Sequence, residues 1–597
     1  MNQQLLQEYN KYRSHDQKRL AATKKKIRQL AYLRLVAFLA VVLSLIYLAK
    51  NHPLIAYPIA ISSTILFFYW IRLFQKKEKE KTFNTNLIDI NQKEIQALQE
   101  DYSPFDDGRE FIDPHHPFTF DLDIFGAGSV FQMINRTVTQ LGGKKLADYL
   151  IHPLTKTEQI KSRQKALLEL AKYTRWRQFF AARGKSDDEQ DLKLIRTISK
   201  NEAFPNAQKL RWQVILLPII SLSCLLLSAL NILPWGYFLV AVSLNGAVMY
   251  SYRKIITRFY QGFGNQSNML HKYKEILQQI EEKEFESDQL KALKQQLLTH
   301  DKTASLIIGE LRQAMARFDY RGNLVFAMLF EPLIAWDLIC VYQLNQWQLN
   351  YQDSVHQWFD VMAEFDALSS LANLNHNQPD WTLPKVEDRE FHLTANDLKH
   401  PLIKSAKNIG NDFHLDGLGQ IAIITGANMA GKSTFLRTVG VNMILAMNGC
   451  RACASWLSLK PVQLFTNMRT TDNLQNDESY FFAELQRLKA ILDTIKSGNE
   501  VFVIIDEMLK GTNSEDKLSG SMKLIDQLLS LHAVGMVATH DLKLTSLAEK
   551  HPHKITNKCF EIQLSGDDLV FDYRLTDGVT TTMNANFLMK KMGIISE

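Results

Sequence analysis

Two pairs of apolar segments dominate the first half of the chain. Residues 35–49 and 54–71 are almost wholly apolar and flank the short polar break Lys50-Asn51-His52-Pro53. Farther on, no charged residue occurs from 212 to 252, and Asn231, Pro234 and Gly236 mark a turn near the middle of that run. Each half is close to the ~20 residues needed to cross hydrocarbon, with Arg34 and Arg72 placed to snorkel. The pattern predicts two transmembrane helical hairpins, hence four spans. The alternative is buried soluble helices, which so long an uncharged run disfavours. A cleavable signal peptide is not expected, because a second span follows the first at once. A third apolar stretch, 324–342, contains Glu331, Pro332 and Asp337 and reads as a buried core helix rather than a span. Segments 82–104, 255–300 and 301–320 are charged and low in Gly and Pro, which suggests long helices or arms.

The pattern changes in the C-terminal third. Gln420-Ile421-Ala422-Ile423-Ile424-Thr425 is a strand-like run that leads into Gly426-Ala427-Asn428-Met429-Ala430-Gly431-Lys432-Ser433-Thr434 and then an apolar helix. This is G-x-x-x-x-G-K-[ST] in its required setting of strand, loop and helix. Glycines let the backbone close around phosphate, at a helix N-terminus that favours anions. Lys432 is placed to reach the β- and γ-phosphates and Ser433 to ligate Mg²⁺. Val501-Phe502-Val503-Ile504-Ile505 is a second apolar strand, ending in Asp506-Glu507. Asp506 would hold Mg²⁺ and Glu507 would polarise the attacking water. Seen alone, paired acids at a strand end also suit a helix N-cap; after a phosphate loop the catalytic reading prevails. A third strand, 534–538, is followed by Thr539-His540, and that histidine is a candidate γ-phosphate sensor. The expected cofactors are ATP and Mg²⁺.

Composition adds bounds. At ~150 residues per domain, 597 residues make three or four domains. The mix of 46% hydrophobic and 22% charged residues is that of a globular chain able to bury cores. The five cysteines form no disulfide framework, which suits a reducing compartment. Cys450 and Cys453 form a C-x-x-C without a second ligand pair nearby, so a zinc or redox role is disfavoured. Residues 1–30 carry Lys11, Arg13, Lys18, Arg19, Lys24, Lys25, Lys26 and Arg28 against Glu8 and Asp16, an excess equal to the whole net charge of +6. Basic charge just before an apolar segment suits anionic lipid, and argues mildly against a dominant nucleic-acid role. Lys/Arg clusters flank both hairpins on the same side: 24–28, then Arg72, Lys76, Lys77, Lys79 and Lys81, then Lys209 and Arg211, then Arg253 and Lys254. By the positive-inside rule the hairpin tips lie outside and the ATPase is cytoplasmic.

The phosphate loop from Thr425 to Thr434, with its Asn428-Met429 insert, resembles that of the MutS family. So do Asp506-Glu507 with Gly511-Thr512-Asn513-Ser514 and Asp516, Ala538-Thr539-His540, and His400-Pro401-Leu402 with Asn411. Ser479-Tyr480-Phe481-Phe482-Ala483-Glu484 is similar to the family's segment that reaches a partner subunit's ATP. Upstream, Gly128-Ser129-Val130-Phe131, Asn135-Arg136-Thr137, Thr139, Gly142, Leu146, Pro153-Leu154 and Arg163-Gln164 look like the start of the MutS helical core. Phe365-Asp366-Ala367-Leu368 and Leu371-Ala372 look like its end. The similar parts cover about 124–172, 360–386 and 395–595. The resemblance implies an α/β P-loop (ABC/MutS-like) ATPase domain joined to an all-α MutS-core-like domain, and action as a homodimer.

Departures qualify what carries over. Residues 1–110 hold a basic leader and an apolar hairpin where the family has its mismatch-reading domain. No β-rich insertion suggests a DNA clamp, and no nuclease domain is expected after the ATPase. Asn408 stands where the family often places an adenine-stacking aromatic, and Asn476-Asp477-Glu478 precedes Ser479 in place of small and basic residues. The organisation read from sequence is a leader (1–30), hairpin one (31–75), a helical linker (76–123), a core-like region (124–211), hairpin two (212–252), a helical lever region (253–386) and the ATPase domain (387–597). The leading reading is a membrane-anchored dimeric ATPase that moves helical levers. The alternatives are a membrane-tethered DNA repair or recombination protein, and a transporter-like ATPase.

Overall fold

The computed structural model describes residues 2–48, 50, 52–185, 207–263, 267–427, 429–469, 480–509, 513–565 and 568–580. The chain opens with two very long helices, α1 (Asn2–Leu43) and α2 (Pro53–Ala97), with a π-helical turn at Ser44–Leu48 between them. They pack antiparallel. Phe38 meets Phe67, Thr23 bonds Glu80, and Arg13 bonds Gln92. The outer half of this hairpin exposes its large apolar residues, for example Tyr32, Val36, Ile46, Leu54, Ile61 and Phe68.

Residues 2–30 and 76–97, the basic leader and the first part of the helical linker, form the inner half of this hairpin, and residues 98–123 leave it. Leu5, Tyr9, Asp16 and Thr23 are buried at spacings of four and seven, so one helix face points inward while the lysines and arginines stay on the other. At its root the hairpin is fixed to the core by buried polar contacts. Glu94 accepts from Arg136 Nε (2.6 Å), Asn373 (3.1 Å) and Asn377 (2.9 Å). Tyr9 donates to Asn377 (2.7 Å), and Arg175 pairs with buried Asp16 at 2.8 Å.

Four helices follow: α3 (Val130–Ile134), α4 (Gln140–Ile151), α5 (Thr157–Lys172) and α6 (Thr174–Gly184). The second hairpin is α7 (Ala207–Ala229) and α8 (Trp235–Phe263). After α9 (Ser267–Glu282), α10 (Asp288–Gln295) and the two-residue strands β1 (Leu298–Thr299) and β2 (Lys302–Thr303) comes α11 (Ala304–Phe318). Then α12 (Leu324–Ile334) bends by 81° into α13 (Trp336–Asn377), a 42-residue helix that forms the spine of the core against α4, α5 and α11. Buried Asp366 on α13 accepts from the Val138 and Thr139 N–H groups and the Thr139 hydroxyl, seating the start of α4. A β-carbon at Gly142 would lie 2.2 Å from that carboxylate, so only glycine fits there.

Among the described residues three helical stretches are long and apolar enough to cross a membrane: Gln3–Tyr47, Pro53–Ala97 and Gln208–Ala229. The sequence led us to expect four. Helix α8 has the length, but Trp235, Tyr237, Asn245, Tyr250 and Tyr252 dilute its apolar character. The bent pair α12–α13 is a further candidate. The expectation of a buried core helix over 324–342 holds for its second part, where Leu338, Cys340 and Val341 are buried, and is corrected for the first: none of the residues of α12 is buried, with Leu324, Val325, Met328 and Leu329 at least 60% exposed. Composition alone does not separate a helix covered by protein from one with no covering neighbour.

The remainder is α/β. Strands β3 (Lys385–Val386), β4 (His392–Leu398), β5 (Asn411–Asp416) and β7 (Trp456–Leu459) form a four-stranded sheet in the order β3-β7-β4-β5. The main sheet has the order β12-β11-β6-β10-β9-β8, from β6 (Ile421–Gly426), β8 (Gln463–Asn467), β9 (Val501–Asp506), β10 (Val534–Thr539), β11 (Ile555–Ser565) and β12 (Asp568–Asp577). All of its pairings are parallel except β11 with β12. Helix α14 (Lys432–Met447), buried along almost its whole length, lies between this sheet and the helical core. Helices α15 (Tyr480–Lys496) and α16 (Ser514–Ser530) cover the other face, where Leu488, Ile491, Ile525 and Leu528 pack together. The outermost strand β8 is stitched to residues 117–121. Thr466 N donates to Pro117 O (2.9 Å), and fully buried Asp121 accepts from the Thr466 hydroxyl (2.6 Å), Met468 N, Arg469 N (both 3.0 Å) and Arg487 (2.9 Å).

Candidate nucleotide site

Strand β6 is buried along its whole length, so its chain emerges at a fixed point at the top of the sheet. Gly426 leaves it at φ 151°, and a β-carbon there would sit 2.9 Å from Phe560 O. Gly431, at φ 109°, opens α14 with its α-carbon face against the Tyr573 ring. These two positions require glycine, and together they bend the loop back over the first turn of α14. Met429, at φ 68°, stands out of the loop and is 79% exposed, whereas Ala430 is buried. Asn428 lies outside the described residues.

Lys432 begins α14 with its side chain folded into the loop. Its ammonium donates to Gly426 O (2.8 Å) and Ala427 O (3.0 Å) and lies 3.3 Å from His540 Nε2. Burial pushes this lysine down to about 8, against the opposing pull of Asp506 and Glu507. Asp506 closes β9 and Glu507 follows it at φ 55°. His540 follows β10, and its Nε2 is 2.8 Å from Glu507 Oε1. Adjacent parallel strands β6, β10 and β9 thus deliver Lys432, His540 and Asp506-Glu507 to one end of the sheet, where open α/β sheets place their ligands.

These residues, with Ser433 and Thr434, line a cleft of about 590 Å³, within the range of small-molecule sites. Its far wall holds His400, Asn408, Asn411 and Tyr573. Asn408 is spent on local structure: its amide donates to His400 O (2.8 Å) and Ile403 O (3.3 Å) and accepts from His400 N (3.3 Å). Burial, with Arg437 adding to it, pushes His400 down to about 4, so its Nδ1 is free to accept from Leu402 N (3.2 Å). Tyr573 was not foreseen from sequence. It comes from β12, at φ 52°, with its ring stacked on Phe571 and its carbonyl held by Asn411 (3.0 Å). No local pattern marks it.

Ser479 lies outside the described residues, as do Asn476, Asp477, Glu478, Gly511 and Thr512. The next part of that segment is placed: buried Glu484 on α15 accepts from Leu509 N at 2.6 Å, two residues beyond Glu507. Asn513 caps α16 by accepting from Asp516 N (2.9 Å). At the far end of α14, Arg163 of α5 donates to Asn448 (3.2 Å), and Asn375 of α13 accepts from Arg451 N (2.8 Å). The phosphate-loop helix is thereby tied to two core helices. Cys450 and Cys453 lie in the same packing, and burial raises both thiols to about 12.

The family model of MutS domain III matches residues 119–372, and that of MutS domain V matches 422–590, together more than half of the chain. The chain belongs to the MutS family. Domain III coincides with the helical core and both arms of the second hairpin; domain V coincides with the main sheet and the phosphate-loop side of its cleft. Among curated MutS relatives, the DNA mismatch repair protein MutS of Thermotoga maritima is 31% identical over 222 residues, 36% of this chain and 27% of that protein. The DNA mismatch repair protein MSH4 of Arabidopsis thaliana is 30% identical over 198 residues, 32% of this chain and 24% of that one. MutS protein homolog 4 of Homo sapiens is 29% identical over 235 residues, 38% and 24%. The match spans about a quarter of each relative's length.

Proposed function

We propose that this chain is a membrane-anchored MutS-family ATPase, which binds and hydrolyses ATP as a dimer and uses the cycle to move helical levers. The observation that carries the reading is the convergence of Lys432, Asp506, Glu507 and His540 at the ends of three adjacent parallel strands, above a loop whose two glycines hold positive φ angles that disfavour any side chain. That cradle fits a triphosphate, and Ser433 and Asp506 are the residues that would hold Mg²⁺. Bound Mg²⁺ would neutralise charge on the phosphates. Lys432 exchanges its two backbone carbonyls for phosphate oxygens. Glu507 orients the attacking water, and His540 reports on the phosphate through its contact with Glu507. Tyr573 offers the base an aromatic face that Asn408 does not.

The lever reading rests on the ties at the end of α14. Movement there reaches Arg163 and Asn375, and Asn375 lies on α13, whose other end meets α12 and the exposed apolar helices. Membrane anchoring is supported by the exposed apolar flanks of the two hairpins and by the basic clusters beside them, which under the positive-inside rule favour a cytoplasmic ATPase. Dimerisation is supported by the family segment around Ser479, through which each subunit would complete its partner's site.

The names of the relatives favour a second reading, DNA binding in repair or recombination. ATPase assays on the full chain in detergent, with and without duplex DNA, separate the two. DNA-independent, Mg²⁺-dependent turnover supports the first. Duplex binding whose affinity falls steeply with salt, together with DNA-stimulated turnover, would replace it with the second. No turnover under either condition sinks both.

A further inference from the structure

We propose that α12 is a half-helix inserted into the bilayer, with its inner end capped at mid-depth by Ser221 and Asn245. The inference rests on the membrane reading and adds to it a third inserted element, joined directly to the spine of the core.

Helix α12 carries no charge before Glu331, and its 11 residues rise ~16 Å, about half of the ~30 Å hydrocarbon core. It packs against both arms of the second hairpin. Leu324, Val325, Met328 and Leu329 face outward, extending the exposed apolar surface of α7 and α8, while Phe326 stacks on Phe330 and meets Trp336 edge-on. The chain then turns through Ala335, in the left-handed region, and leaves as α13. A helix that stops here frees its last carbonyls. In water they would simply be hydrated, but within hydrocarbon each must find a protein donor.

Donors are present. Asn245 Nδ2 donates to Pro332 O (2.8 Å) and Leu333 O (3.2 Å), and the Ser221 hydroxyl reaches Leu333 O. Both side chains are buried, on helices that carry no charge from 212 to 252. Ser221 lies midway along the uncharged part of α7 and Asn245 midway along that of α8, so the break they cap is level with the centre of the hairpin. Polar residues at that depth are costly unless they answer a polar need; Ser221 and Asn245 answer one from a third chain segment, and of the acids at the same break, Glu331 and Asp337, the second pairs with Arg321 at 3.2 Å.

The test uses full-length Cys224→Ala protein in phosphatidylcholine–phosphatidylglycerol vesicles, spin-labelled at Val325→Cys or Leu329→Cys. References are Leu226→Cys, on the exposed face of α7, and Ser497→Cys in the ATPase domain. Collision with oxygen relative to a nickel chelate should be as high at 325 and 329 as at 226, and well above that at 497. If 226 shows the lipid signature but 325 and 329 match 497, the half-helix proposal fails while the membrane reading stands. If 226 also matches 497, the membrane reading itself fails. Labels at 325 and 329 shielded from both relaxants would show a second copy of the chain on this face, and would equally overturn the proposal.

Discussion

The nucleotide cleft and the root of the first hairpin both bury charge, but they hold it in opposite ways. At the root and along the β8 edge the buried acids Glu94 and Asp121 are saturated by protein: Glu94 by Arg136, Asn373 and Asn377, and Asp121 by a hydroxyl, two N–H groups and Arg487. In the cleft, Lys432 rests on two carbonyls that already have a place in the loop, and Glu507 stays a quarter exposed beside His540. A charge whose partners are all fixed holds elements together. One whose partners can be exchanged for a ligand's atoms is available for chemistry.

The contrast is sharpest if Asp121→Asn costs stability and spares the site. Removing one member of a buried, hydrogen-bonded pair costs about 3–5 kcal/mol, so the unfolding midpoint in denaturant should fall markedly, while ATP affinity of the folded fraction is unchanged. A loss of affinity with unchanged stability would reverse the roles assigned to the two regions. Glu507→Gln should do the opposite: turnover falls by about 10²-fold or more, with ATP binding and stability retained. Unchanged turnover removes Glu507 from the mechanism.

Lys432→Ala should weaken ATP binding by roughly 10–100-fold, the scale of a lost charged hydrogen bond. Equilibrium titration with a fluorescent ATP analogue reads this directly, and an unaltered Kd would dismiss the phosphate-loop assignment. The smallest effect concerns pH. Because burial holds free Lys432 near 8, the ligand-free lysine loses its proton above that value, whereas phosphate favours the protonated form. ATP affinity should therefore be level below pH 8 and fall by up to about tenfold per unit above it, in step with proton uptake on binding. In Lys432→Arg the fall should vanish, since arginine keeps its charge throughout.

Much of the cleft was legible because its parts are short-range: a glycine-bounded loop after an apolar strand, and acids or a histidine at the ends of two more. Tyr573 was not, because β12 reaches the phosphate loop through long-range pairing, of β11 with β6 and of Asn411 with the Tyr573 carbonyl. In the helical half, the apolar runs announced two hairpins, but not that their polar flanks continue as the same helices. The seam there uses Tyr9, Asp16 and Thr23, whose partners lie far along the chain, so no apolar stripe betrayed it. The exposure of α12 was hidden for a simpler reason. An exposed apolar helix and a core helix are written in the same residues.

The stitch between β8 and residues 117–121 bears on how the molecule can be divided. An outermost strand with unanswered N–H and C=O groups is a template for the next chain, and proteins cover such edges or pair them. Here the cover is supplied by a segment more than three hundred positions earlier in the sequence, through Pro117 O and the Asp121 carboxylate. A fragment beginning at 387 would carry β8 bare, and would be liable to associate edge to edge on concentration. One that keeps 117–123 tethered should remain dispersed.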